Sequence, residues 1–261
     1  MRFGRTRTHG LASPALALLF LIPLHAALAD PAHDGCSLLP MPDVPVLGRA
    51  PNIAVWPGDA IAAFQQKRCG ASEVDPESAW ILGVATFQHV GAVQELLAPF
   101  AAVSNYQNIR RGADDGTRNP LIADAYALRR PDGGKRGDFA LAELTVGTPR
   151  YLSITTAGTG SITYRMIVTE LQQHRVALVI DNVTPVRFAG MVALREGASR
   201  FSWTFEPQRL DVWRITVVYQ LSSPLRQLLR SQTADGPVWI EALLRYFSEP
   251  LTVALKARPG P

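Results

Sequence analysis

Hydrophobic and polar residues alternate with a period of two from Leu210 to Leu221. Trp213, Ile215, Val217, Tyr219 and Leu221 fall on one face, and Arg214, Thr216 and Gln220 on the other. That period, rich in β-branched and aromatic residues, predicts a half-buried strand. Ser222-Ser223-Pro224 stops it. Asp235-Gly236-Pro237 then opens a helix whose apolar residues include Val238, Trp239, Ala242, Leu243, Phe247, Leu251 and Leu255. A helix with such a stripe must bury it, and the sheet just built is the available surface.

Upstream, Trp80 to Phe87 is the first convincing strand. Val90, Val93, Leu96, Leu97 and Phe100 recur at three- and four-residue spacing and predict a helix directly after it, ended or kinked by Pro99. Ala102 to Tyr106 reads as a short helical turn. Asp114-Asp-Gly116 and Pro131-Asp-Gly-Gly134 are turn sequences. Between and after them, Ala123 to Arg129 and Asp138 to Val146 both fit strands, the first fits a helix as well, and the pattern does not decide. Tyr151 to Thr156 is a strand, broken by Ala157-Gly-Thr-Gly160. Ile162–Leu171 and Arg175–Val183 form a predicted hairpin around Gln172-Gln-His174. A second hairpin pairs Val186–Arg195 with Ser199–Phe205 around Glu196-Gly-Ala198. Short strands at regular spacing, joined by tight turns, imply an antiparallel meander.

The first part of the chain differs in character. Arg2, Arg5 and Arg7 precede an apolar run, Leu16 to Leu24, and Ala27-Leu28-Ala29 offers a small-x-small cleavage site before Asp30. This is the pattern of a secretory signal peptide over residues 1–29. The run is too short to anchor the chain across a bilayer of about 30 Å. The sequence therefore predicts export to the periplasm or beyond. Residues 30–78 form an irregular, proline-rich extension, with Pro31, Pro40, Pro42, Pro45, Pro51 and Pro57. Its one helical candidate is Gly58 to Arg68. In an exported chain Cys36 and Cys69 are expected to pair, stapling that helix to the start of the mature protein.

Charge narrows the classes of partner. Loss of residues 1–29 removes three arginines and no acid, so the net charge of +4 falls to +1. Basic residues are scattered, which speaks against nucleic acid. His33, His89 and His174 are not at ligand spacing, so neither metal nor cofactor is expected. No Gly-x-Ser-x-Gly elbow occurs. Gly158-Thr-Gly-Ser161 lacks the lysine of a phosphate loop and reads as a turn or bulge.

Strand, helix, antiparallel meander, long final helix: over residues 79–258 this order resembles the START-like superfamily of polyketide cyclases and lipid-transport proteins. The resemblance rests on Ile81 to Phe100, where the first strand runs straight into a helix. It rests also on Val103-Ser-Asn-Tyr106, similar to the aromatic-bearing turn that follows, and on the strand-plus-helix ending. It implies an α+β helix-grip fold, with an antiparallel β-sheet curved around the C-terminal helix and a cavity for an apolar ligand.

Alternation places Phe201, Trp203 and Phe205 on one strand face, and Trp213 and Tyr219 on one face of the next. These five form either ordinary core or the floor of a ligand cavity roofed by Trp239, Leu243 and Phe247. Arg165 and Arg214 oppose Tyr164 and Trp213 and are expected on the solvated side. Three functions are open at this level. The leading one is an exported carrier of a hydrophobic or amphipathic small molecule such as a lipid, in transient contact with membranes. The second is an enzyme of cyclase or hydrolase type using the same cavity. The third is a structural or partner-binding envelope protein whose core is filled by its own side chains.

Overall fold

The computed structural model describes residues 39–70, 74–110, 120–156, 159–188, 191–222 and 235–248, all within the compact unit Gly35–Pro261. Its centre is the sequence stretch that alternates most cleanly. β11 (Val212–Leu221) pairs antiparallel with β10 (Ser199–Arg209) on one side and with β2 (Ala79–Gln88) on the other. The β10–β11 hairpin turns at Leu210-Asp211. Asp211 adopts φ 63°, a left-handed conformation that a short polar side chain tolerates. Leu210 therefore stands at the tip, 89% exposed, rather than opening the strand. A register shift between Pro207 and Arg209 carries β10 past the proline.

The remaining strands are β1 (Asn52–Pro57), β3 (Asp124–Leu128), β4 (Lys135–Arg136), β5 (Arg150–Thr156), β6 (Gly160–Gln172) and β7 (Arg175–Asn182). They complete a nine-stranded antiparallel sheet in the order β1-β2-β11-β10-β7-β6-β5-β3-β4. Ala123–Arg129 is thus settled as a strand, β3. Asp138–Val146 is not a strand. Its side chains serve other contacts: the Asp138 carboxylate accepts from Ser104 N–H at 2.8 Å and Ser104 Oγ at 2.6 Å. Glu143 closes a 3₁₀ turn (Leu141–Glu143) and takes both Arg136 nitrogens at 3.0 and 2.8 Å.

Two further expectations change. Val186–Arg195 does not pair with Ser199–Phe205. It folds on itself as β8 (Val186–Phe188) and β9 (Met191–Leu194), a separate two-stranded hairpin, because β10 is already taken by β7 and β11. The segment read as an irregular extension contributes β1, which pairs with β2 from Asn52↔Val84 to Pro57↔Ala79. Helix α1 (Gly58–Cys69) follows without a break. Leu82 and Val84 face away from the helix side of the sheet yet are fully buried. Thr86 Oγ1 on that face donates to Pro45 O at 2.9 Å, so the chain before β1 crosses there.

The helix predicted after β2 is broken into a 3₁₀ turn (Val93–Leu97), the four-residue α2 (Ala98–Ala101) and a further 3₁₀ turn (Val103–Asn108). Pro99 sits near the start of α2, where its missing N–H is harmless, and does not end it. The final helix, α3, spans 235–248 among the described residues; Leu251 and Leu255 of the predicted stripe lie outside them. Its buried side includes Ile240, Leu243, Leu244 and Phe247. Phe247 stacks on Phe100 at 4.2 Å and meets Trp203 of β10 at 4.8 Å. At the other end of α3, Gly236 lies against Ile81 of β2.

Candidate functional site

Alternation decides which side of each strand meets α3. The register aligns Ile81, Tyr219, Phe201 and Ile180 in one row, and Gly83, Val217, Trp203 and Leu178 in the next. A third row runs through Ala85, Ile215, Phe205 and Val176. All point to the face that carries α3. In a flat sheet β2 and β5 would stand about 24 Å apart at strand spacing. Ile154 of β5 nevertheless walls the same cavity as Gly236, which touches β2. The sheet therefore curls around the helix.

The concave side is divided along the strand direction. In one half, Phe87, Phe100 and Phe205 pack edge to face at 6.0–6.2 Å, with Leu96 and Leu97 fully buried beside them. Trp213 lies in this half too, its ring 6.1 Å from buried His89, whose Nε2 is 3.2 Å from Ala92 O. The other half is not filled by the side chains of the described residues. It holds a cavity of about 440 Å³, inside the range of small-molecule sites.

Of the eight side chains singled out in sequence, Phe201, Trp203, Tyr219, Trp239, Leu243 and Phe247 line this cavity. Phe205 and Trp213 do not. They share the aromatic face but lie further along the strands, in the filled half. The wall continues through Ile154, Ile162, Tyr164 and Ile180. Val186, Ala193 and Leu194 of the β8–β9 hairpin close one end, and Leu121 and Ile122 add to the apolar surface. Arg165 and Arg214 are on the opposite face, as alternation requires. Arg165 pairs with Asp181 across the strands at 2.6 Å, and Arg214 with Glu206.

One polar cluster interrupts the apolar lining. Ser199, 1% exposed, opens β10, and its Oγ donates to the Tyr219 hydroxyl at 3.4 Å. The Tyr164 phenol lines the cavity beside them. Burial pushes the Tyr219 phenol up to about 12, the Ser199 hydroxyl working weakly against it. Burial, with Tyr219 nearby, raises Tyr164 further. Tyr106, at the far side of the cavity, is raised well above its ordinary value by burial, then by Tyr246 and Asp138. All three are neutral phenols at physiological pH. Asp235 is the one charged side chain among the described lining residues.

Asn182 holds the cluster in place. It is 1% exposed. Its Nδ2 donates to Thr184 O at 2.9 Å and Arg195 O at 2.8 Å, and its Oδ1 accepts from Ser199 N–H at 2.8 Å. One side chain thus ties both ends of the β8–β9 excursion to the start of β10. Sequence reasoning passed over Ser199 and Asn182. The available signal was the alternation phase, which puts Tyr164 with Ile162 and Met166. Among the described residues no cluster of metal-ligating side chains occurs.

No family model matches the chain, and no curated protein does. Among solved structures it is similar to a STAR-related lipid transfer protein fragment from Xanthomonas axonopodis. That match has 13% identity, covers 66% of this chain and 85% of that one, and has a TM-score of 0.41. It is similar also to human StAR-related lipid transfer protein 5, with 10% identity, coverage of 81% and 86%, and a TM-score of 0.45. A third is the Zhui aromatase/cyclase of a Streptomyces species, with 10% identity, coverage of 70% and 99%, and a TM-score of 0.44. At these levels the likeness is one of layout, and the site's chemistry rests on this chain's own residues.

Proposed function

We propose that this protein is an exported, periplasmic binding protein for a hydrophobic or amphipathic small molecule such as a lipid. The molecule sits between the sheet and the C-terminal helix. The observation that carries this reading is the cavity itself. About 440 Å³ beneath α3 is walled by Phe201, Trp203, Trp239, Leu243 and Phe247 and is not closed by the side chains of the described residues. Close packing is the rule in protein interiors, so a space of this size under a helix is a feature with a use. Each Å² of ligand apolar area withdrawn from water contributes about 25 cal/mol. A signal-like N-terminus over residues 1–29 supports export, and a carrier in an aqueous compartment is where such shielding matters.

Gentle purification from its own envelope followed by native mass spectrometry tests this. The expected result is a protein carrying co-purified mass, or taking up added lipid one to one. Bare protein that ignores added lipid would overturn the reading.

A further inference from the structure

The hydroxyl cluster narrows the class of molecule, an inference that rests on the binding reading above. Tyr164, Ser199 and Tyr219 carry three hydroxyl protons. Ser199 Oγ donates to the Tyr219 hydroxyl, a link that uses one of the three protons. The two phenol protons are left over. Donors that face a cavity without an acceptor call for one, and an acceptor oxygen on a bound molecule supplies it.

The charge of that oxygen follows from what surrounds it. No lysine, arginine or histidine is among the described lining residues. A carboxylate or phosphate buried against neutral hydroxyls would leave water without a counter-charge, which is costly. We infer that the cavity selects an uncharged, largely apolar molecule. Its hydroxyl or carbonyl oxygen is seated on the Tyr164–Ser199–Tyr219 cluster.

Displacement of the fluorescent apolar probe N-phenyl-1-naphthylamine by 1-dodecanol, methyl dodecanoate and dodecanoic acid tests this on the full mature chain. The alcohol and the ester are expected to displace the probe better than the acid by more than about tenfold at about pH 8. The acid should gain affinity toward about pH 5 as its carboxyl takes up a proton, with the alcohol unchanged. Tyr219→Phe and Tyr164→Phe keep the ring packing. Each should weaken the alcohol by roughly three- to tenfold more than it weakens the apolar probe. An acid that binds as well as the alcohol at the higher pH overturns the inference while leaving the cavity in place. So does an alcohol affinity indifferent to both phenylalanine variants. Failure of the apolar probe to enter at all would sink the binding reading and this inference with it.

Discussion

Gly83 of β2 lies directly beneath Ile240 of α3: a β-carbon built on Gly83 would stand 2.5 Å from Ile240 Cγ2. Leu244 Cδ1 and Val217 Cγ1, at 2.8 and 3.1 Å, close the remaining space. The absent side chain is what lets the helix approach the sheet on this side. Trp239 and Ile154 line the cavity beside this contact. Gly83→Ala is expected to wedge the helix outward and to destabilise the protein by about 1–3 kcal/mol, a fall of roughly 3–10 °C in Tm. Gly134→Ala, where nothing lies within 4 Å, is the control. Thermal unfolding of both variants checks the contact. Equal melting temperatures would show that α3 is not seated on Gly83.

How much of this was legible beforehand depends on the range of the interaction. Strands β5, β6, β7, β10 and β11 announce themselves because each buries one face more than the other, which imposes a period of two on the residues themselves; β2, buried on both faces, reads instead as a nearly continuous apolar run. Alternation also put Phe201, Trp203 and Tyr219 on the cavity side. It could not say which part of that face would be filled. Phe205 and Trp213 are in phase with the rest but meet Phe100 and His89, contributed by segments about a hundred residues upstream. The same limit hid Asn182 and Ser199. A polar residue closing a strand reads as a turn former, and its three partners at Thr184, Arg195 and Ser199 are visible only once the excursion folds back.

Asn182→Ala removes all three of those bonds while leaving Ser199 N–H and two carbonyls buried. Unsatisfied buried groups cost about 1–3 kcal/mol, and the loss should be concentrated in one place. Hydrogen exchange is the discriminating measurement. Faster exchange confined to 184–199, with β2 and β11 still protected, is expected. Uniformly faster exchange would mean that Asn182 supports the fold as a whole and not the β8–β9 hairpin.

Export and the Cys36–Cys69 pairing are proposals that one sample can test together. Cys69 closes α1; Cys36 and the signal segment lie outside the described residues. Protein recovered from the periplasmic fraction should begin at Asp30 and show no reactive thiol until reduced. A loop of this length contributes about 3–4 kcal/mol when closed, so reduction should lower Tm by several degrees. A retained N-terminus, or two alkylatable cysteines without reductant, would contradict the export route.

The buried phenols give the protein a specific weakness at high pH. Tyr219 and Tyr246 each have their ionisation pushed up to about 12, in both cases chiefly by burial, with Asp138 adding to the effect at Tyr246. In the unfolded chain a tyrosine loses its proton near its ordinary value of 10. Above that value the unfolded state binds fewer protons than the folded one, so stability falls as pH rises. The stabilisation is fully present below about 10, is lost progressively toward 12, and is untouched by acid. Chemical unfolding followed across that window should show a steep decline, with phenolate absorbance appearing together with unfolding. Tyr219→Phe should flatten part of the decline, since its ring still stacks on Phe201 as the tyrosine does at 4.1 Å. A decline identical in the variant would place the alkaline sensitivity elsewhere, and phenolate absorbance rising before any unfolding would show that these hydroxyls are open to solvent.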